Sequence, residues 1–144
     1  MTNLKRTFLI TFLVLSSLLS MTSLAATLNV IANASVEESH LKLKDLRSIY
    51  TMKKKLWSNG DRISVFVLSD DSATHKDFCR KLLKVFPRQL ESVWYRLVYS
   101  GTGEKPVSVN SEEEMIELVA KTPGAIGYIR SENMHEETKV ISIK

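Results

Sequence analysis

The chain has little of several residue types that stabilise small domains or perform catalysis. Its 144 residues include one cysteine, three histidines, five glycines and three prolines. The single cysteine, Cys79, excludes an internal disulfide bond, and it lies too far downstream for lipid attachment near the amino terminus. The sequence also lacks a G-x-S-x-G motif, and its serines, histidines and acids show no spacing typical of a nucleophilic site. These absences argue against a disulfide-stabilised scaffold, a lipoprotein and a hydrolase, so we predict that the protein is not an enzyme.

The sequence also gives little indication that the protein binds a metal ion, a cofactor or nucleic acid. His75 and Cys79 are four residues apart on a predicted helix and could share a metal ion. His40 and His135, however, have no spacing that would supply a third ligand. The formal net charge of +4 is small for a protein that binds nucleic acid. We therefore predict no metal site, no cofactor and no nucleic-acid partner.

The amino terminus has the pattern of a cleavable targeting segment. Two basic residues precede an apolar run over residues 8–19, and Ser23 and Ala25 are the small residues that a signal peptidase recognises. The run is about a dozen residues long, whereas a membrane-spanning helix needs about 20. We predict a signal peptide over 1–25 with cleavage after Ala25, and one periplasmic or secreted domain over 26–144 that is not inserted in the membrane.

Strand-like and helix-like patterns alternate along the rest of the chain. Short runs rich in β-branched residues predict strands over 27–32, 63–68, 125–129 and 139–143. Apolar residues at helical spacing predict helices over 44–50 and 74–85, a third that starts at 87, and a fourth that starts after 111. Strands separated by helices favour an α/β fold, with a partly parallel or mixed central sheet flanked by helices.

The helix predicted over 74–85 carries two further expectations. Thr74 and Asp77 have the spacing of a capping box, which would start the helix at Thr74. Phe78 and Phe86 belong to the apolar face that we expect to point inward, and Cys79 lies on the same stretch. We therefore interpret Cys79 as a core thiol rather than a reactive one.

The segment Asp70-Asp71-Ser72-Ala73-Thr74 is the candidate ligand site. It joins the end of a predicted strand to the start of a helix, where free N–H groups and the helix dipole attract anions. The alternative is that Ser72 or Thr74 only caps the helix. The two carboxylates would repel a fully ionised anion, but a ligand that keeps a proton could donate it to one of them. If an anion binds at this segment, the pattern favours a protonated oxyanion over sulfate.

A basic run, Lys53-Lys54-Lys55, precedes Trp57. Such a run can attract an anionic ligand or surface, or it can be a solvated turn.

The Gly101-Thr102-Gly103 segment follows a helix rather than a strand, so it is interpreted as a helix stop and not as a dinucleotide-binding motif.

Three segments occur in an order that resembles a known family: LRSIYTMKKKLWSNGD, SDDSATHKDF and GAIGYI. They are similar to the second lobe of the phosphate-binding proteins that serve ABC importers, and especially to short, single-lobe secreted relatives with a type 2 periplasmic-binding-protein fold. In that family the second lobe contributes an Arg-x-Asp-x-Ser-Gly-Thr segment to the phosphate site. Asp70, Ser72 and Thr74 match its aspartate and hydroxyls, whereas Leu68 stands at the arginine position and Ala73 at the glycine position.

The resemblance implies a substrate-binding-type protein for phosphate or a similar oxyanion, connected with ABC-type phosphate uptake or sensing. Its partners would be the oxyanion and a membrane transporter, sensor or envelope protein. Leu68, Ala73 and the missing second lobe support an alternative function, an envelope protein-interaction module that has lost ligand binding.

Overall fold

The computed structural model describes residues 27–130 and 135–144, so the predicted signal peptide lies outside the described residues. Within the described ranges, no helix is both long enough and apolar enough to span a bilayer. The six strands are β1 (Asn29–Asn33), β2 (His40–Leu41), β3 (Ser64–Leu68), β4 (Val107–Val109), β5 (Ala125–Ile129) and β6 (Thr138–Ile143). The helices are α1 (Leu43–Tyr50), α2 (Ala73–Asp77), which continues as a π-helical segment over Phe78–Leu83, α3 (Pro87–Tyr99) and α4 (Glu112–Lys121).

All six strands form one mixed sheet in the order β2-β6-β1-β5-β3-β4. Strand β1 is antiparallel to both of its neighbours, β5 and β6, and every other neighbouring pair is parallel. Strands β3, β4 and β5 therefore finish at the same end of the sheet, called here the carboxyl end, and start at the opposite, amino end. The predicted α/β class with a partly parallel, mixed sheet is confirmed. The strands β2 and β4 were not predicted, because segments of two or three residues are too short to show the alternation of apolar and polar residues that is typical of a strand.

The core lies around β5, whose five residues are all buried. Tyr128 on this strand stacks on the ring of Phe78, with centroids 3.7 Å apart, and Tyr50 packs against both rings. Helix α4 approaches closely because Gly127 has no side chain, and a Cβ atom there would collide with the sulfur of Met115. Burying each large apolar side chain contributes about 1.5–3 kcal/mol, so this cluster fixes how the helices sit on the sheet.

Helix α2 begins at Ala73, one residue before its predicted start, and its N-cap lies two residues before the one that the capping box predicts. Ser72 is the N-cap, and its Oγ accepts a hydrogen bond from the His75 N–H at 3.3 Å. The predicted capping box of Thr74 and Asp77 is therefore wrong. Serine, aspartate and threonine are all common at helix starts, so spacing alone does not distinguish Ser72 from Thr74 as the cap.

The second half of the predicted helix 74–85 is π-helical rather than α-helical. It ends at Leu83, and Lys84 follows in the left-handed region with φ 57°. The changed helical period places Leu83 in the core, whereas Phe86 is 62 % exposed. The prediction that Phe86 points inward is therefore wrong, while Phe78 and Cys79 are fully buried as expected.

Candidate oxyanion site

The candidate segment lies at the carboxyl end of β3 and is positioned by backbone hydrogen bonds. The Ser69 N–H donates to the carbonyl of Val109 on the next strand at 3.0 Å. The Ser72 N–H donates back to the Ser69 carbonyl at 2.9 Å, which closes a tight turn. Asp70 and Asp71 lie in this turn and are exposed. The turn therefore presents two carboxylates to solvent and leads directly into α2.

Ser72 combines a capping contact with an available donor. Its Oγ accepts from His75, while its own O–H donates to no group among residues 27–130 and 135–144. The N–H groups of Ala73 and Thr74 in the first turn of α2 also have no acceptor within these ranges. First-turn amides lack partners inside a helix and can donate to a ligand. Ser72 is thus a helix cap that keeps a hydroxyl hydrogen for another group.

The side chain of Thr74 points away from this surface. It is only 7 % exposed, and its Oγ1 donates to Glu112 Oε1 at 2.6 Å. The other oxygen of Glu112 accepts the N–H of Arg130 at 2.9 Å. One carboxylate therefore links the starts of α2 and α4 to the end of β5. The segment brings Asp70 and Ser72 to the surface together, whereas the Thr74 hydroxyl is engaged inside the fold.

A buried imidazole lies beneath Asp70. His75 is fully buried, with Nδ1 2.5 Å from Tyr128 Oη and Nε2 3.7 Å from Asp70 Oδ1. Tyr128 Oη also accepts the N–H of Leu68 at 3.0 Å. Burial lowers the pKa of His75, and the nearby charge of Asp70 partly opposes this. The neutral tautomer that satisfies both groups accepts the Tyr128 O–H at Nδ1 and directs its Nε2–H towards Asp70.

Sequence reasoning did not detect this contact between His75 and Tyr128. The available signal was the single hydroxyl of Tyr128 inside the apolar run GAIGYI, because a buried tyrosine O–H needs a partner. The partner cannot be read from the sequence, because the two residues lie on elements that are far apart in the chain.

The residue at the family's arginine position belongs to the core. Leu68 is the last residue of β3 and is buried, and its N–H is the donor to Tyr128. Ala73, at the family's glycine position, is exposed in the first turn of α2. Position 68 therefore supplies no positive charge to the turn.

Two clefts adjoin the turn, and Asp70 and Asp71 line both of them. The first has a volume of about 320 Å³ and is lined by Val67, Ser69, Glu91, Trp94, Tyr95, Lys105, Pro106 and Ser108 in addition to the aspartates. The second has a volume of about 480 Å³ and is lined by Lys76, Arg80, Phe86, Pro87, Arg88 and Glu91 in addition to the aspartates. The first cleft has aromatic walls, whereas the second carries three cationic side chains.

The lysine run lies elsewhere. Lys54 and Lys55 line a third cleft, of about 280 Å³, together with Arg62, which precedes β3. This cleft is therefore at the amino end of the sheet, and the lysines are not part of the turn around Asp70. Gly101, with φ 68°, follows the end of α3 as the predicted helix stop.

Cys79 has the properties of a core thiol. Its sulfur lies 3.5 Å from His75 Nε2, and burial raises the pKa of the thiol to about 12. The thiol therefore stays protonated at neutral pH, which makes it a poor nucleophile and a poor metal ligand. Within the part of the chain that the structure describes, no group of three potential metal-binding side chains occurs.

Solved structures provide the comparison with known proteins. An ABC-type phosphate transport receptor from Vibrio cholerae matches with 20 % identity and a TM-score of 0.59, over 81 % of this chain and 45 % of the receptor. A protein from Clostridium perfringens, described as a phosphate ABC transporter substrate-binding protein with bound phosphate, matches with 19 % identity and a TM-score of 0.65, over 81 % and 44 %. PstS from Borrelia burgdorferi matches with 20 % identity and a TM-score of 0.63, over 81 % and 46 %.

These likenesses establish the class of fold. The chain has the fold of a substrate-binding-protein lobe, and the resemblance found in the sequence is confirmed at that level. The chain spans less than half the length of each of these structures. No family model and no curated protein matches the sequence.

Proposed function

We propose that this chain is an exported substrate-binding-type protein that binds phosphate or a similar oxyanion, in connection with ABC-type phosphate uptake or sensing. The observation that carries the proposal is the position of Asp70 and Ser72 at the carboxyl end of β3, directly before α2. Ligands of open α/β sheets bind at this end of the strands. The fold is that of proteins described as phosphate transport receptors, which are not enzymes.

The proposed contacts divide between donors and an acceptor. The Ser72 O–H and the N–H groups of Ala73 and Thr74 donate to the oxyanion, and the Asp70 carboxylate accepts the proton that hydrogen phosphate retains. The Thr74 hydroxyl is directed towards Glu112, so it would join only after its side chain rotates and exchanges that hydrogen bond for one to the ligand. Sulfate has no such proton at neutral pH, so the repulsion by Asp70 and Asp71 would discriminate against it.

Titration calorimetry of phosphate into the chain from Ala26 onward, freed of bound phosphate, tests this proposal. We expect phosphate-selective binding that is lost in the double variant Ser72→Ala/Thr74→Ala and much weakened in Ser72→Ala alone. The matched control is Ser48→Ala/Thr51→Ala, which removes two hydroxyls that donate to carbonyl groups on α1. The control should bind as the wild type does, and circular dichroism would verify that each variant is folded.

Equal heats for sulfate and phosphate, or no binding of phosphate in the millimolar range, would contradict the oxyanion proposal. A wild-type chain that binds nothing would direct the search to protein partners in the envelope. Export is tested separately by fractionating cells and sequencing the amino terminus of the mature protein, which we expect to begin at Ala26.

A further inference from the structure

The second cleft beside the turn carries cationic side chains close to Asp70. It lies between the outer side of α2 and the start of α3, and its volume is about 480 Å³. Three of its side chains are cationic: Lys76, Arg80 and Arg88. Three are acidic: Asp70, Asp71 and Glu91. Cations and carboxylates therefore share one concave surface, and Asp70, one of the proposed oxyanion contacts, is part of its lining.

Within the described residues, Lys76, Arg80 and Arg88 form no ion pair with a carboxylate, although Lys81 and, to a smaller extent, the charge of Arg80 lower the pKa of Asp77. Among residues 27–130 and 135–144, the ion pairs formed by lysine or arginine use Arg62, Lys81, Lys121 and Arg130. Lys76 donates only to the backbone carbonyl of Asp71, at 3.1 Å. Arg80 rests over the ring of exposed Phe86, with its guanidinium carbon 6.0 Å from the centroid. The guanidinium group of Arg80 thus packs on an aromatic face, and none of its N–H groups donates to an acceptor in the part of the chain that the structure describes.

The chain geometry around Lys84 brings these groups together. The π-helical segment ends at Leu83, and the left-handed Lys84 turns the chain so that α3 starts beside α2. Arg88 lies in the first turn of α3, which contains no acidic residue. A cation at this end of a helix is unfavourable because it faces the positive end of the helix dipole. An anion held by Arg88 would remove that unfavourable interaction.

We propose that Arg80 and Arg88 bind the charge of the oxyanion, while Asp70, which lines the same cleft, accepts the proton that the oxyanion retains. This inference rests on the proposed function and assigns the source of the positive charge that Leu68 does not supply. Guanidinium groups suit this task because their planar donors bind two oxygens of a phosphate at once. Lys76 adds a further positive charge that offsets the neighbouring carboxylates.

The test compares the phosphate affinities of three arginine variants by titration calorimetry. Arg80→Gln/Arg88→Gln should bind inorganic phosphate at least about tenfold more weakly than the wild type, because two charge-assisted contacts are lost. Arg80→Lys/Arg88→Lys should lose less, since it keeps both charges but not the bidentate donors. Arg96→Gln is the control, because Arg96 is exposed on α3 and lines neither cleft. It should bind as the wild type does.

The outcomes separate this inference from the function on which it rests. If the wild type binds phosphate and Ser72→Ala does not, but the double glutamine variant binds like Arg96→Gln, the proposed arginine role is wrong and the oxyanion site remains. If the wild-type chain binds no phosphate in the millimolar range, both are overturned. If the double glutamine variant loses binding while it stays folded by circular dichroism, and Arg96→Gln binds as the wild type does, the assignment of Arg80 and Arg88 is supported.

Discussion

The two ends of the same sheet are closed in different ways. At the amino end, the closure depends on the backbone of Gly124, just before β5. Its carbonyl accepts hydrogen bonds from Trp57 Nε1 at 2.9 Å and from the Ser64 N–H at 3.1 Å. Its N–H donates to Ser35 Oγ at 3.0 Å. The backbone of this one residue therefore joins three separate segments, and the exposed charges nearby contribute little to this closure.

At the carboxyl end, side chains perform the equivalent task. Thr74 and the N–H of Arg130 share the Glu112 carboxylate, and His75 and Tyr128 share a buried hydrogen bond. Hydroxyl and carboxylate groups can exchange one hydrogen-bond partner for another, whereas buried backbone groups have no alternative partner. The difference indicates that the amino end is built for rigidity and that the carboxyl end keeps groups for which a ligand can compete.

The largest expected effect is at the amino end. Gly124 has φ 72°, and a Cβ atom there would collide with the carbonyl oxygen of Arg62. Gly124→Ala should therefore destabilise the protein by more than about 2 kcal/mol, since backbone strain and a clash with rigid backbone add together. The free energy of unfolding in urea measures this loss.

Gly101→Ala is the matched control for this substitution. Gly101 has φ 68°, but a Cβ atom there would meet nothing within 4 Å. We expect a loss of about 1 kcal/mol from the left-handed conformation alone. If both substitutions reduced the free energy of unfolding by the same amount, the closure around Gly124 would not be rigid. The two ends of the sheet would then no longer differ in rigidity.

The carboxyl end should respond to pH through His75. Burial lowers the pKa of this imidazole below the 6.5 of an exposed histidine, against the opposing charge of Asp70. The unfolded state therefore binds a proton at a higher pH than the folded state does. Above about pH 6.5, His75 is neutral in both states and its full contribution to stability is present. As the pH falls from about 6.5 towards the lower pKa of the folded state, this contribution should be lost, because only the unfolded state takes up the proton. Unfolding in urea at several values between pH 7.5 and 5.5 measures this trend.

The groups around His75 make this prediction specific. Tyr128, Cys79 and Asp70 face its ring, and Lys76 is the neighbouring charge. His75→Gln should reduce the pH dependence in this window, because its amide does not titrate. Direct titration of the imidazole by NMR in the wild type provides a second measurement, and a pKa at or above 6.5 would contradict the burial argument.

The sequence predicted the fold better than the site because the two depend on different information. The strand at 125–129 and the helix after Ser111 were found from local periodicity and a serine cap, and both lie where expected. The start of α2 was shifted by one residue because several neighbouring residues can cap a helix. The π-helical segment was missed because no residue pattern in the sequence distinguishes it from an α-helix, and Phe86 was misplaced as a result.

The details of the site could not be predicted for a physical reason. Local spacing identified Asp70, Ser72 and Thr74 as neighbours of a helix start. The partner of Thr74 is Glu112, 38 positions later in the chain, and only the packing of α4 against the sheet brings them together. The cations Arg80 and Arg88 likewise meet only because the chain turns at Lys84.

The smallest expected effect is that of an exposed ion pair at the amino end. Arg62 Nη2 lies 3.0 Å from Glu104 Oε2, and the two side chains are 74 % and 76 % exposed. Glu104→Gln should change the free energy of unfolding by no more than about 0.5 kcal/mol, because solvent screens such pairs. Urea unfolding at low and high salt measures both the change and its screening.

The matching variant at the carboxyl end is Glu112→Gln, which makes the same chemical change. Glu112 accepts from Thr74 and from the Arg130 N–H, and both contacts are partly buried. We expect a loss of about 1–3 kcal/mol, because an amide cannot accept at both positions and one donor is left unpaired. If the two glutamate variants were equally stable, the carboxylate at the carboxyl end would contribute no more than a solvated surface charge. The contrast between the two ends would then rest on the backbone of Gly124 alone.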